Sequence, residues 1–170
     1  DGGAPTALKT VGVPLDQLSF LEDAGGHLNV LLRATGAGEG MWGHLRAQGR
    51  TALLRVPLSA FGDGRDAARR EHYRVLPGGA WTQNRFVGDW LLWGGPRRAP
   101  ARDAAPDASA PAWAVRYASA DEPRPLDPGH GIERIEALGA HALLVGNQAR
   151  DLHFSAVRLT GDKAALAGGY

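Results

Sequence analysis

The chain has no cysteine. That absence excludes a disulfide scaffold, a zinc–thiolate site, an iron–sulfur cluster and a cysteine nucleophile. Methionine occurs once, and Lys9 and Lys163 are the only lysines among 19 basic residues. The arginine bias, with abundant Ala, Gly and Pro, is what a GC-rich coding sequence produces and needs no functional explanation. Charge of one sign is also lacking. Nineteen basic residues against 18 acidic ones leave a net charge of +1, which argues against a dedicated nucleic-acid binder, because such domains carry a marked basic surplus. No apolar run approaches the ~18 residues of a membrane-spanning helix. Helical periodicity is scarce. Its best stretch, Asp63 to His72, has no apolar stripe and reads as a polar loop with at most one helical turn. The chain opens at Asp1 without an initiator Met or an apolar leader, which reads as a processed or truncated start.

What the chain has is turn formers and short apolar runs. Its 24 Gly and 11 Pro make up about a fifth of 170 residues, and 44% of residues are hydrophobic, too many for a disordered segment and too turn-rich for a helical bundle. Gln17 to Glu22 and Leu28 to Ala34 flank Asp23-Ala24-Gly25-Gly26. Asn84 to Val87 and Trp90 to Trp93 flank Gly88-Asp89, and Ile132 to Leu138 and Ala142 to Val145 flank Gly139-Ala140-His141. Each is a hairpin signal, since Gly reaches positive φ without strain.

The hairpins belong to a repeat. Val87 to Gly94 matches Leu138 to Gly146 with one extra residue. A third strand with a recurring Arg follows each hairpin: Leu54-Arg55-Val56, then Ala114-Val115-Arg116-Tyr117, then Ala156-Val157-Arg158-Leu159. Arg74-Val75-Leu76-Pro77-Gly78 and Arg124 to Gly129 form matching lead-ins to the second and third hairpins. Three or four short strands recurring at roughly 40–60 residues are the mark of propeller blades. The expected fold is all-β, about three four-stranded antiparallel blades spanning residues 13–76, 77–126 and 127–170. Glu71 to Leu76 is a candidate fourth strand, and Ala164 to Leu166 either begins another strand or ends mid-blade. The Pro- and Ala-rich segment 95–111 reads as a mobile surface loop. The third-strand Arg is expected to face solvent or a blade edge, with a binding contact as the alternative.

Leu15 to Asp23 followed by Gly26-His27-Leu28-Asn29-Val30 resembles the segment that opens a blade in bacterial secreted proteins with a C-terminal β-propeller distantly related to WD repeats. Asn84-Arg85-Phe86-Val87-Gly88-Asp89 resembles that family's recurring strand and turn. The resemblance runs from about Val13 to Leu159. It implies a propeller fold and a secreted or periplasmic location, and it brings no defined catalytic residues. Gly129-His130 is similar to the Gly-His pair of WD repeats and sits just ahead of a first strand, as that signature requires.

A closed propeller needs at least about four blades. Three alone leave apolar faces exposed. The chain is therefore expected to be part of a larger propeller, completed by another polypeptide, a second copy or a separated piece. No nucleophile elbow, P-loop or dinucleotide fingerprint occurs, and the Gly-rich stretch 36–40 has no following helix to cradle a phosphate. No cofactor is expected, and a binding role is favoured over an enzymatic one. Three places remain as candidate sites. Trp81 lies beside Gly in a connection, with Asn84 and Arg85 nearby, where it marks a rim binding site or packs over a blade end. His130 lies in a Pro-Gly turn, expected to be exposed at a rim. Asp151 and His153 share a strand face, where they hold a metal, act as an acid–base pair or stabilise a turn. A carbohydrate- or metal-binding propeller is the alternative function, its channel mouth drawing on Gln83, Arg85, Glu133 and Arg134.

Overall fold

The computed structural model describes residues 6–34, 51–77, 83–97 and 111–169. Trp81, the stretch 36–40 and most of the 95–111 loop lie outside the described residues. The chain divides into two compact units, Asp1–Leu76 and Pro77–Tyr170. The regular structure described is β, apart from single 3-10 turns at Leu58–Ala60 and Arg70–His72.

The first unit holds one blade-like antiparallel sheet. Its strands are β2 (Val13–Pro14), β3 (Phe20–Glu22), β4 (His27–Arg33), β5 (Thr51–Pro57) and β7 (Tyr73–Leu76). β2 and β3 both pair with β4, so together they make a split first strand. The split is held locally: Leu18 N donates to Asp16 Oδ1 at 2.8 Å, and Leu31 N donates to Ser19 O at 2.9 Å. Strand alternation gives the sheet two faces. We call front the face that carries the third-strand Arg, here Arg55. The back carries Val30, Leu32, Ala52, Leu54 and Val56 in one buried cluster with Tyr73 and Ala68. A parallel ribbon of β1 (Ala7–Lys9) and β6 (Asp63–Ala67) flanks this cluster, and Leu8, Val11, Ala60 and Phe61 pack against it. Asp63 to His72 is thus a ribbon strand followed by one 3-10 turn, not a polar loop. Its backbone partners come from β1, far away in sequence, which no local pattern discloses.

The second unit holds two four-stranded antiparallel sheets. The second sheet runs β8 (Gln83–Val87), β9 (Trp90–Gly94), β10 (Ala112–Arg116), β11 (Arg124–Leu126), and the third runs β12 (Arg134–Leu138), β13 (His141–Gln148), β14 (Asp151–Leu159), β15 (Ala164–Gly169). The strands lie in each sheet in chain order. Arg124-Pro125-Leu126, part of a lead-in by repeat alignment, is the fourth strand of the second sheet. Ala164 to Gly169 completes the third sheet as its fourth strand.

The front of the second sheet packs on the back of the third. Val87, Trp90, Leu92, Ala112 and Ala114 meet Ile135, Ala142, Leu144, Val157 and Leu159 in one buried cluster. Each large apolar side chain there contributes about 1.5–3 kcal/mol by leaving water. Two polar contacts clasp the sheets at one end. Trp90 Nε1 donates to Thr160 O at 3.2 Å, and Arg116 donates to Gly161 O at 3.1 Å while paired with Asp121. Thr160 and Gly161 form the turn between β14 and β15, so the front of one blade grips the outer turn of the next.

Candidate functional site

The lead-in to β12 folds over the back of the third sheet and buries His130, which is 2% exposed. It is not at an exposed rim as its Pro-Gly context suggests. Two glycines make this possible. A Cβ at Gly146 would stand 1.8 Å from Gly131 O, and one at Gly131 would stand 2.9 Å from Arg97 N. The chain therefore approaches β13 more closely than any side chain permits. Asp127 anchors the turn: its carboxylate pairs with Arg97 and accepts from Gly129 N at 2.9 Å. Hydrogen bonds from Arg97 hold that carboxyl below the usual range, against the opposing effect of partial burial.

His130 uses both ring nitrogens. Nδ1 lies 2.7 Å from Gly131 O and Nε2 lies 2.9 Å from Ser155 Oγ. A carbonyl only accepts, so Nδ1 donates, and in the neutral ring Nε2 accepts the Ser155 hydroxyl. A hydroxyl on an imidazole nitrogen is also the start of a nucleophile–base pair. Here Ser155 is 5% exposed, and burial of both groups makes the contact a staple between lead-in and third strand. A His130→Phe, Ser155→Ala double-mutant cycle should give a coupling energy of about 1 kcal/mol in urea unfolding. Additive losses would show that the contact does not hold the blade.

His153 stacks on His130, with ring centroids 5.6 Å apart and planes 20° apart. Asp151 is exposed at the start of β14, two residues away on the same face. Among the described residues no hydrogen bond or ion pair joins Asp151 to His153, and no three His, Cys, Asp or Glu residues converge as a metal centre requires. Asn84 is 1% exposed on the back of the second sheet. Arg85 is half-buried and reaches Glu136 at 4.0 Å. Glu136 also pairs with Arg134, and Glu133 Oε1 accepts from Asn147 Nδ2 at 2.7 Å. Of the residues expected at a channel mouth, Arg85 and Arg134 thus share Glu136, Glu133 is tied to Asn147, and Gln83 is exposed, so they do not converge on one pocket. Of the third-strand arginines, Arg55 and Arg116 make ion pairs within their units, and Arg158 is exposed.

No protein-family model, curated protein or solved structure matches the chain. By hairpin register, Val87 pairs with Trp90 as Leu138 pairs with His141, and Trp90 pairs with Arg116. The front of the third sheet is the counterpart of the front of the second. The second sheet's front is covered. On the third sheet Leu138, Leu152 and Phe154 are 58%, 54% and 38% exposed, with Leu143, Val145 and Ala156 half-buried between them. A signal for this face was present in the sequence: Ala142 to Val145 is apolar at four successive positions, which on a strand calls for cover on both faces.

Proposed function

We propose that the chain is a structural, protein-binding blade module of an exported β-propeller, and that it engages another polypeptide through the front of its third sheet. The exported location rests on the family resemblance alone. The observation that carries the binding role is the inequality of equivalent faces. Val87, Trp90, Leu92, Ala112 and Ala114 are buried on one blade front, while the matching front of the next blade leaves Leu138, Leu152 and Phe154 in water. Clustered exposed apolar residues rimmed by Arg134, Glu136 and Arg158 have the make-up of an interface, with an apolar centre and a charged edge.

The chain isolated natively should have the mass of a complex by native mass spectrometry. Phe154→Arg should weaken that complex about tenfold and leave the circular dichroism spectrum unchanged. A chain that is monomeric at every concentration, or a complex indifferent to Phe154→Arg, would sink the reading.

A further inference from the structure

Resting on the protein-binding part of that reading, we infer that the polypeptide docked on the third sheet is a second copy of this chain, front to front about a two-fold axis, which ends the front-to-back stacking of blades at that sheet. Among the described residues the other faces are covered in greater part. The back of the third sheet lies against the second, and the centre of the back of the first sheet lies against the β1–β6 ribbon, with Phe20 and Val75 exposed on its edge strands. Leu31 and Leu53 on the front of the first sheet, and Leu91, Trp93 and Val115 on the back of the second, are buried as well. The third front, where Leu138 and Leu152 are the most exposed large apolar residues described and Phe154 lies beside Leu152, is the same in every copy.

That front is complementary to itself. Strand register sets its residues in rows across the sheet. One row is Arg134, Val145, Phe154 and the next is Glu136, Leu143, Ala156. A two-fold axis running across the strands between these rows lays each row over the other row of the second copy. Arg134 then faces Glu136, Val145 faces Leu143, and Phe154 faces Ala156. Charge meets opposite charge, and the largest side chain meets the smallest.

In the flanking rows His141 comes over Asn147, and Arg158 comes over Leu152, which the aliphatic stem of the arginine covers. Leu159 N donates to His141 Nδ1 at 3.2 Å, so in the neutral ring Nε2 is a donor. Asn147 Nδ2 is committed to Glu133, so its Oδ1 is the acceptor. Facing sheets keep their strands within about 30° of alignment, so the rows stay opposed over the few residues involved. Such an isologous contact closes at two copies and does not propagate into filaments.

Charge reversal across the axis tests this in the full chain. Sedimentation equilibrium should give a dimer for the wild type. Arg134→Glu and Glu136→Arg should each weaken it about tenfold, since each sets like charges face to face. An equimolar mixture of the two variants should restore the dimer, since every facing pair is then again of opposite charge. Circular dichroism of each variant confirms folding, and recovery in the mixture excludes simple misfolding. Dimers unchanged in both variants, or no recovery in the mixture, overturn the two-fold. A complex containing a different polypeptide overturns the second copy and leaves the protein-binding reading intact. A monomer with no partner overturns both.

Discussion

Gly146→Ala should unfold the third sheet's lead-in and lower stability by more than about 3 kcal/mol, the largest loss expected of any single change here. The added Cβ would stand 1.8 Å from Gly131 O, 2.7 Å from Gly131 C and 3.2 Å from His130 Nδ1. Two of these contacts are to backbone, which no rotamer change relieves. The lead-in must lift away, and the His130 bond to Ser155 breaks with it. For a unit of this size, roughly 4–8 °C per kcal/mol puts the fall in Tm above about 12 °C. Gly161→Ala is the control. Nothing lies within 4 Å of a Cβ there, so its effect should stay within about 0.5 kcal/mol. Calorimetry that finds the two variants alike would show that the close approach at Gly146 is not needed.

Asp23→Ala should cost about 2–3 kcal/mol at neutral pH and less in acid. The Asp23 side chain is 6% exposed and lies 3.0 Å from Arg55 Nη2. It also accepts from Asn29 Nδ2 at 2.9 Å, His27 N at 3.2 Å and Gly25 N at 2.9 Å. Burial by itself raises the pKa of this carboxyl. Asn29, His27, Arg55 and Gly25 outweigh it and hold the group below its ordinary range. A depressed native pKa means stabilisation that is present above the unfolded value of about 3.9 and is lost as pH falls through the native value. Asp127 and Asp121, held low chiefly by Arg97 and Arg116, lose their contributions in the same acid window. Removing the carboxylate strands Arg55 and three donors around the β3–β4 turn. Urea unfolding at pH 7 and pH 3 should show the gap between wild type and variant narrowing in acid. An equal gap at both values would mean that the ionised carboxylate is not what holds the turn.

Much of the blade architecture was legible because its signals are local. Gly88 and Gly139 adopt φ of 54° and 59° at two-residue turns, and Gly26 adopts 72° beside Asp23. These are conformations that side chains resist. The recurring third-strand Arg aligned Arg55, Arg116 and Arg158, and each lies on the third strand of its sheet. Other elements carry no local signal. Arg124 to Leu126 is three residues long and contains Pro, tolerable on an edge strand where a missing N–H is harmless. The strand Asp63 to Ala67 has no apolar alternation and exists because β1 pairs with it. His130 reads as a turn residue at a rim, and it is buried because its neighbour Gly131 and the distant Gly146 let backbone meet backbone.

Strand content, hairpin positions and blade equivalence follow from the chain's own order of residues, since turn glycines and period-two alternation act over a few neighbouring positions. Which faces are covered does not follow from it. Ala142 to Val145 puts apolar side chains on both sides of β13, and nothing in the run says that Ala142 and Leu144 meet Trp90 and Leu92 while Leu143 and Val145 stand at an open front. Alternation assigns a residue to a face, but only packing between sheets brings another surface against it. The same holds at His130, where a ring with two hydrogen-bonding nitrogens becomes a staple once Gly146 and Ser155 are placed beside it.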